Sequence, residues 1–184
     1  MKGTRAARRY AGALLELCTE TKTVDNVASD MRLIHDSITS SHELAILFKS
    51  PIVNRFKKRD VVRDLWAARV DEMTLNFLFL LIDKGREVLT DQIAVEFAAL
   101  LDQSRGIVNA ELKSPFEVEK EVISGMKETF GKIVKKNVRI SFSPDPALIG
   151  GFLVQIGDTV FDGSVRRQLE ILKQQLSEEA SLQS

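Results

Sequence analysis

The stretch from Asp145 to Leu172, DPALIGGFLVQIGDTVFDGSVRRQLEIL, leaves its backbone few options. Asp145-Pro146 marks a turn, because the residue before a proline is pushed out of the helical region. Gly150-Gly151 permits an unusual backbone or a close approach. Phe152 to Ile156 is a short apolar run with β-branched members, and Thr159 to Phe161 follows after Gly157-Asp158. Two short strands around a two-residue loop read as a hairpin whose glycine supplies the positive φ of a primed turn. Asp162-Gly163-Ser164 ends the hairpin and opens a helix, since Asp162 or Ser164 can accept a bond from a free amide of the first turn. Val165, Leu169, Leu172 and Leu176 then recur at helical spacing, with Arg166, Arg167 and Lys173 on other faces.

The rest of the chain predicts a different architecture. Thr4 to Glu20 reads as a helix whose apolar residues sweep roughly 200° of arc, twice what docking on one neighbour requires. Val24 to Ser40 is a second helix, and Ser41 opens a short one that Ser50-Pro51 breaks. Asn54 to Ala68 carries the basic cluster Arg55, Lys57, Lys58, Arg59 and Arg63, which reads as a solvated face. Asp71 to Lys84 is apolar almost all round, with Glu72, Asn76 and Asp83 on a narrow polar edge, and Gly85 terminates it. Glu87 to Ser104 completes a bundle of five to six helices. At Arg105-Gly106 the pattern changes: Ile107 to Lys113 alternates as a strand, Glu117 to Val134 is helical, and Val138 to Phe142 alternates again. The expected fold is α+β in two domains, an all-α bundle over 1–105 and a small α/β unit over 106–184, with a frayed polar tail after Ser177.

Composition narrows the function. Lysines and arginines number 26, aspartates and glutamates also 26, so no net charge draws the chain to nucleic acid or anionic lipid. The single cysteine, Cys18, excludes an internal disulfide and reads as a buried thiol. No apolar run approaches the ~20 residues that span a bilayer. Glu16 and Glu20 rule out a signal-peptide reading of the basic N-terminus, so a soluble, intracellular chain is expected. His42-Glu43 lacks the second histidine of a zinc-protease helix, Ile46 standing in its place, and His35 reads as a helix-surface residue. Gly125 to Ile133 has the wrong spacing for a phosphate loop and lies inside a helical pattern. No catalytic, cofactor-binding or metal-binding constellation emerges.

Two sets of residues carry a resemblance. Asp145, Gly150, Gly151, Gly157, Asp158, Asp162-Gly163-Ser164-Val165-Arg166 and Leu169 resemble the C-terminal signature of the δ subunit of F-type ATP synthase, the family that includes the oligomycin-sensitivity-conferring protein. Ala7-Arg8-Arg9-Tyr10-Ala11 and Asn76-Phe77-Leu78 through Gly85-Arg86 look like that family's first and fifth helices. The junction Lys113-Ser114-Pro115-Phe116 departs from the family's small-residue pattern.

The resemblance implies a non-catalytic stator subunit of the peripheral stalk, one copy per complex, linking the catalytic head to the b subunits so that rotation is coupled to ATP synthesis. It implies that the first and fifth helices hold the N-terminal helix of an α subunit, with Tyr10, Ala13, Leu14, Leu17, Met73, Asn76, Phe77 and Leu80 as the face. Gly157, Asp158, Asp162, Gly163, Ser164 and Arg166 are the expected b-subunit contacts, hairpin and cap geometry being the competing explanation. The expected location is peripheral, on the cytoplasmic face of a bacterial inner membrane, because no transit peptide precedes the first helix. The alternatives are a helical nucleic-acid-binding adaptor using the basic helix over 55–63, which strong salt dependence would mark, and a small enzyme, which a metal or nucleotide that raised the melting temperature would mark.

Overall fold

A computed structural model describes residues 4–182 of the chain, with side chains described through residue 175. Two compact units emerge, Met1–Asp102 and Gln103–Ser184. The first contains helices α1 (Arg5–Glu20), α2 (Val24–Ser40), α3 (His42–Lys49), α4 (Arg55–Trp66) and α5 (Glu72–Asp83), with most of α6 (Thr90–Ser104).

Local chemistry sets where these helices begin. The side chains of Thr4, Ser41, Asn54 and Asp71 each accept a hydrogen bond from an amide of the turn that follows, from Ala7, Leu44, Phe56 and Met73 respectively. Each occupies an otherwise orphaned donor, and each cap contributes about 1 kcal/mol. Glu87 to Ser104 is not one helix as the spacing suggests. A 3₁₀ turn, Glu87–Leu89, precedes α6, and the Thr90 hydroxyl donates to the Glu87 carbonyl at 2.7 Å. One continuous core fills the bundle, with Leu14, Met31, Ile34, Trp66, Leu78, Leu81, Ile93 and Phe97 essentially inaccessible. Phe48 and Trp66 lie parallel with ring centroids 6.3 Å apart.

The second unit is a four-stranded mixed sheet, ordered β2-β1-β3-β4, with α7 (Lys120–Val134) and α8 (Val165–Leu182). Strand β1 (Ile107–Ser114) pairs parallel with β2 (Asn137–Pro144), α7 forming the crossover that parallel pairing requires. On its other side β1 pairs antiparallel with β3 (Gly151–Ile156). The hairpin from β3 to β4 (Thr159–Ser164) turns at Gly157-Asp158, with Ile156 opposite Thr159. Only Gly157 of the two loop residues has positive φ, +60°, as a type II′ turn demands. Asp162, Gly163 and Ser164 belong to β4, which runs longer than the apolar pattern indicates. Helix α7 starts at Lys120, later than its periodicity suggests. Inward residues Ala110, Leu112, Val138, Val154 and Ile156 pack with Phe130 of α7, whose ring centre lies 5.1 Å from that of Phe161 with the planes tilted by 52°.

Candidate partner-binding surfaces

Helices α1 and α5 enter the bundle core through only part of their apolar arcs. In α1 the buried residues are Ala7, Ala11, Leu14 and Cys18, and in α5 they are Thr74, Leu78, Leu81 and Ile82. Leu14, expected on a partner-facing surface, is instead 1% exposed; its place in the same stripe as Ala7, Ala11 and Cys18 turns it inward. Leu17 and Leu80 remain 48% and 44% exposed. Ala13 and Asn76 are also exposed, while Tyr10, Met73 and Phe77 are half-buried. The guanidinium of Arg9 lies 5.7 Å from the Tyr10 ring centre.

Two polar ties fix the start of α5. The Asp30 carboxylate on α2 accepts from the Asp71 amide and from the buried Thr74 hydroxyl, both at 2.8 Å. A carboxylate at a helix N-terminus is favoured by the dipole as well as by these donors. The Thr23 hydroxyl, just beyond α1, reaches the Met73 sulfur at 3.8 Å, which brings the end of α1 beside the beginning of α5. Cys18 is buried, donates to the Leu15 carbonyl at 3.3 Å, and has its thiol pKa pushed up by burial.

The basic helix α4 does not present a free cationic face. Lys58 is 3% exposed, its ammonium 2.6 Å from Glu87 and 2.8 Å from the Ser50 carbonyl. Arg59 makes two bonds to Asp83 and stacks on Phe79 at 4.5 Å, and Arg63 pairs with Asp60. The solvated-face reading therefore fails at Lys58, and the phosphate-binding reading loses three of its five cations to internal partners. Apolar spacing around α4 gave no sign of the buried pair, because Glu87 lies on a separate element. His35 is half-exposed, with Nδ1 2.7 Å from Asp91.

In the second unit, the residues expected at the stalk contact mostly shape the backbone. Gly157 and Asp158 form the hairpin turn, and Gly163 faces Phe152 across the β3–β4 pair. Asp162 accepts from the Ser164 amide at 2.9 Å, and Ser164, buried, caps α8 by accepting from the Arg167 amide at 3.2 Å. Hydrogen bonding from Ser164, hydroxyl first and amide second, holds the Asp162 carboxyl below the usual range. Arg166 and Asp158 are exposed. The surface that spacing does not distinguish from core is α8 itself: Val165, Leu169 and Leu172 are 37%, 58% and 51% exposed. The side chain of Leu176 and the polar tail after Ser177 lie outside the described residues.

Comparison with known proteins decides what carries these surfaces. The family model of the ATP synthase delta (OSCP) subunit matches residues 6–176. The chain belongs to that family. The ATP synthase subunit delta of Chlorobaculum tepidum is 37% identical over 180 residues, covering 96% of this chain and 97% of the relative. That of Salinibacter ruber is 37% identical over 178 residues, covering 97% and 94%. A chain from the Toxoplasma gondii mitochondrial ATP synthase hexamer has the same fold, with a TM-score of 0.73 at 21% identity over 94% of this chain and 98% of its own. As a delta-family chain the molecule is a peripheral-stalk subunit of an F-type ATP synthase, and no finding favours the nucleic-acid adaptor. Among the described residues no helix is long and apolar enough to cross a membrane.

Proposed function

We propose that this delta-family chain fastens the catalytic head to the stalk through two separate surfaces and performs no chemistry of its own. Residues 1–105 take the N-terminal helix of an α subunit, and residues 106–184 take the b subunits. A single copy serves one complex, at the cytoplasmic face of a bacterial inner membrane.

The reading rests on one observation. Helices α1 and α5 have each satisfied the bundle core, yet Leu17 and Leu80 remain about half exposed beside half-buried Tyr10, Met73 and Phe77. A helix laid against such a face buries anchors at 3–4 spacing. Ala13 and Asn76 border it, a small residue that admits close approach and an amide for the partner's polar edge. Leu14 supports the face from beneath. On the stalk side, the exposed stripe Val165, Leu169 and Leu172 of α8 offers the apolar contact, and the ordered hairpin and cap at 157–164 fix its direction.

The mechanism is mechanical. A stator must hold the head against the torque of the rotor, so a twofold grip on rigid elements serves better than one extended contact. Holding one partner also raises the effective concentration for the other.

Calorimetric titration of the full chain with a peptide of the cognate α-subunit N-terminus tests the head-binding face. One-to-one binding is expected, weakened about tenfold by Leu17→Ser or Leu80→Ser and less by Tyr10→Ala. Unchanged affinity in both folded leucine variants would remove this face from the contact.

A further inference from the structure

We propose that the cleft between the end of α7 and the start of β2 docks an acidic segment of a partner polypeptide. Its walls carry Lys127 and Lys132 of α7 and Lys135 and Lys136 of the following turn, with Arg105 from just ahead of β1; Glu128 is the carboxylate among the lining residues. All four lysines are exposed, and none of them makes an ion pair among the described residues.

The helix end does not account for so much charge. An α-helix C-terminus is equivalent to roughly half a negative elementary charge, which a single lysine in the last turn offsets. Four ammonium groups exceed that several-fold. The turn also keeps them together. Lys135 is held at φ +53°, a left-handed conformation, and a Cβ on Gly131 would lie 3.4 Å from the Lys136 carbonyl, so the turn folds back against α7. Glu121 and the cap residue Glu119 sit at the opposite end of this helix, which leaves Glu128 as the one helix carboxylate beside the lysines.

The layout selects the class of ligand. Lys127 and Lys135 are separated by roughly 12 Å along the helix axis, more than one small anion bridges. Four of the five cations in the walls are lysines, compact point charges that a run of carboxylates matches without bidentate geometry. The site is a concave cleft, which a flat bilayer surface enters poorly. Several carboxylates spaced along a chain satisfy all three conditions. The cleft shares no residue with the α1 and α5 face or with the stripe on α8.

The test uses the full-length chain and a blocked hexaglutamate peptide, followed by amide shifts of Ser124, Gly131 and Asn137. Saturable shifts are expected, abolished at high salt as the screening length contracts. The double variant Lys132→Gln/Lys136→Gln should weaken binding about fivefold to tenfold, as loss of two exposed ion pairs implies. Lys132→Arg/Lys136→Arg should retain it, which separates charge from any damage to the turn. Equal affinity for inorganic phosphate would overturn the proposal, as would tighter binding to equal-part phosphatidylcholine–phosphatidylglycerol vesicles. Concentration-dependent dimerisation abolished by the same glutamine pair would overturn it too, by assigning the cleft to the acidic end of α7 in a second copy.

Discussion

The bundle and the sheet unit meet the same physical demand to very different degrees. Eighteen buried apolar residues form the core of the first unit, and six form that of the second. The disparity far exceeds the difference in length, and its cause is visible in α8. A bundle helix such as α2 buries Val27, Met31, Ile34 and Ile38 along one stripe, whereas the described residues of α8 are all exposed, its leucines included. Hydrophobic stabilisation scales with the area removed from water. The bundle therefore draws more of its stability from its own core, and the sheet unit leaves the apolar stripe of α8 in water.

Substitutions of matched chemistry should expose that asymmetry. Leu81→Ala in the bundle removes a fully buried side chain and should cost about 2–5 kcal/mol. Trp66, the chain's one tryptophan, lies in the same core, so its fluorescence in a denaturant titration follows bundle unfolding alone. Leu172→Ala on α8 should leave the free chain's stability within about 0.5 kcal/mol. A loss on α8 as large as that in the bundle would break the comparison. Lys58→Met is the polar counterpart. It strands Glu87, whose second oxygen is already buried without a partner, and should cost about 3–5 kcal/mol. If Lys58→Met is instead neutral, the pair is better hydrated than its burial indicates.

Gly151→Ala tests the sheet unit where its backbone is most constrained. Gly151 has φ +81°, and a Cβ there would lie 2.4 Å from the Gly163 carbonyl oxygen on the paired strand. Strain and overpacking together predict a loss of about 2–4 kcal/mol, with the β3–β4 pair opening first. Amide exchange across β3 and β4 measures it, while Trp66 fluorescence should stay at its wild-type midpoint. A shift of that midpoint would mean that the two cores unfold together.

These same residues show what a sequence discloses and what it hides. Helix starts and the hairpin were legible because their causes are local: Thr4, Ser41, Asn54 and Asp71 act within one turn, and Gly157 acts on its own φ. The signature Gly151 was legible as a close approach, although its neighbour, the Gly163 carbonyl, was not. Long-range pairing stayed hidden. Nothing in the spacing of α4 distinguishes buried Lys58 from exposed Lys57, since the difference is made by Glu87 far along the chain. Periodicity also marks an apolar face without saying what covers it. Leu14 and Leu17 share one arc, yet the first is core and the second is surface; Leu169 has the spacing of a core leucine and is exposed.

The smallest expected effect lies at the cap of α8, where the charge of Asp162 is coupled to order in the hairpin. Its folded pKa is depressed by the bonds from Ser164. A depressed carboxyl pKa means that the unfolded chain binds the proton more readily. The contribution is therefore present above the ordinary aspartate value of about 4 and is lost as pH falls through the lower folded value. Asp162→Asn keeps the shape and removes the titration. Wild-type amide protection at Ser164 and Arg167 should decline between neutral pH and about pH 3, after correction for intrinsic exchange, and the variant should show a flatter profile. The bundle offers the control, because Asp162 belongs to the other unit and Trp66 fluorescence should titrate alike in both proteins. Parallel profiles at Ser164 in wild type and variant would show that the cap's geometry, supplied equally by asparagine, fixes the start of α8 without help from the charge.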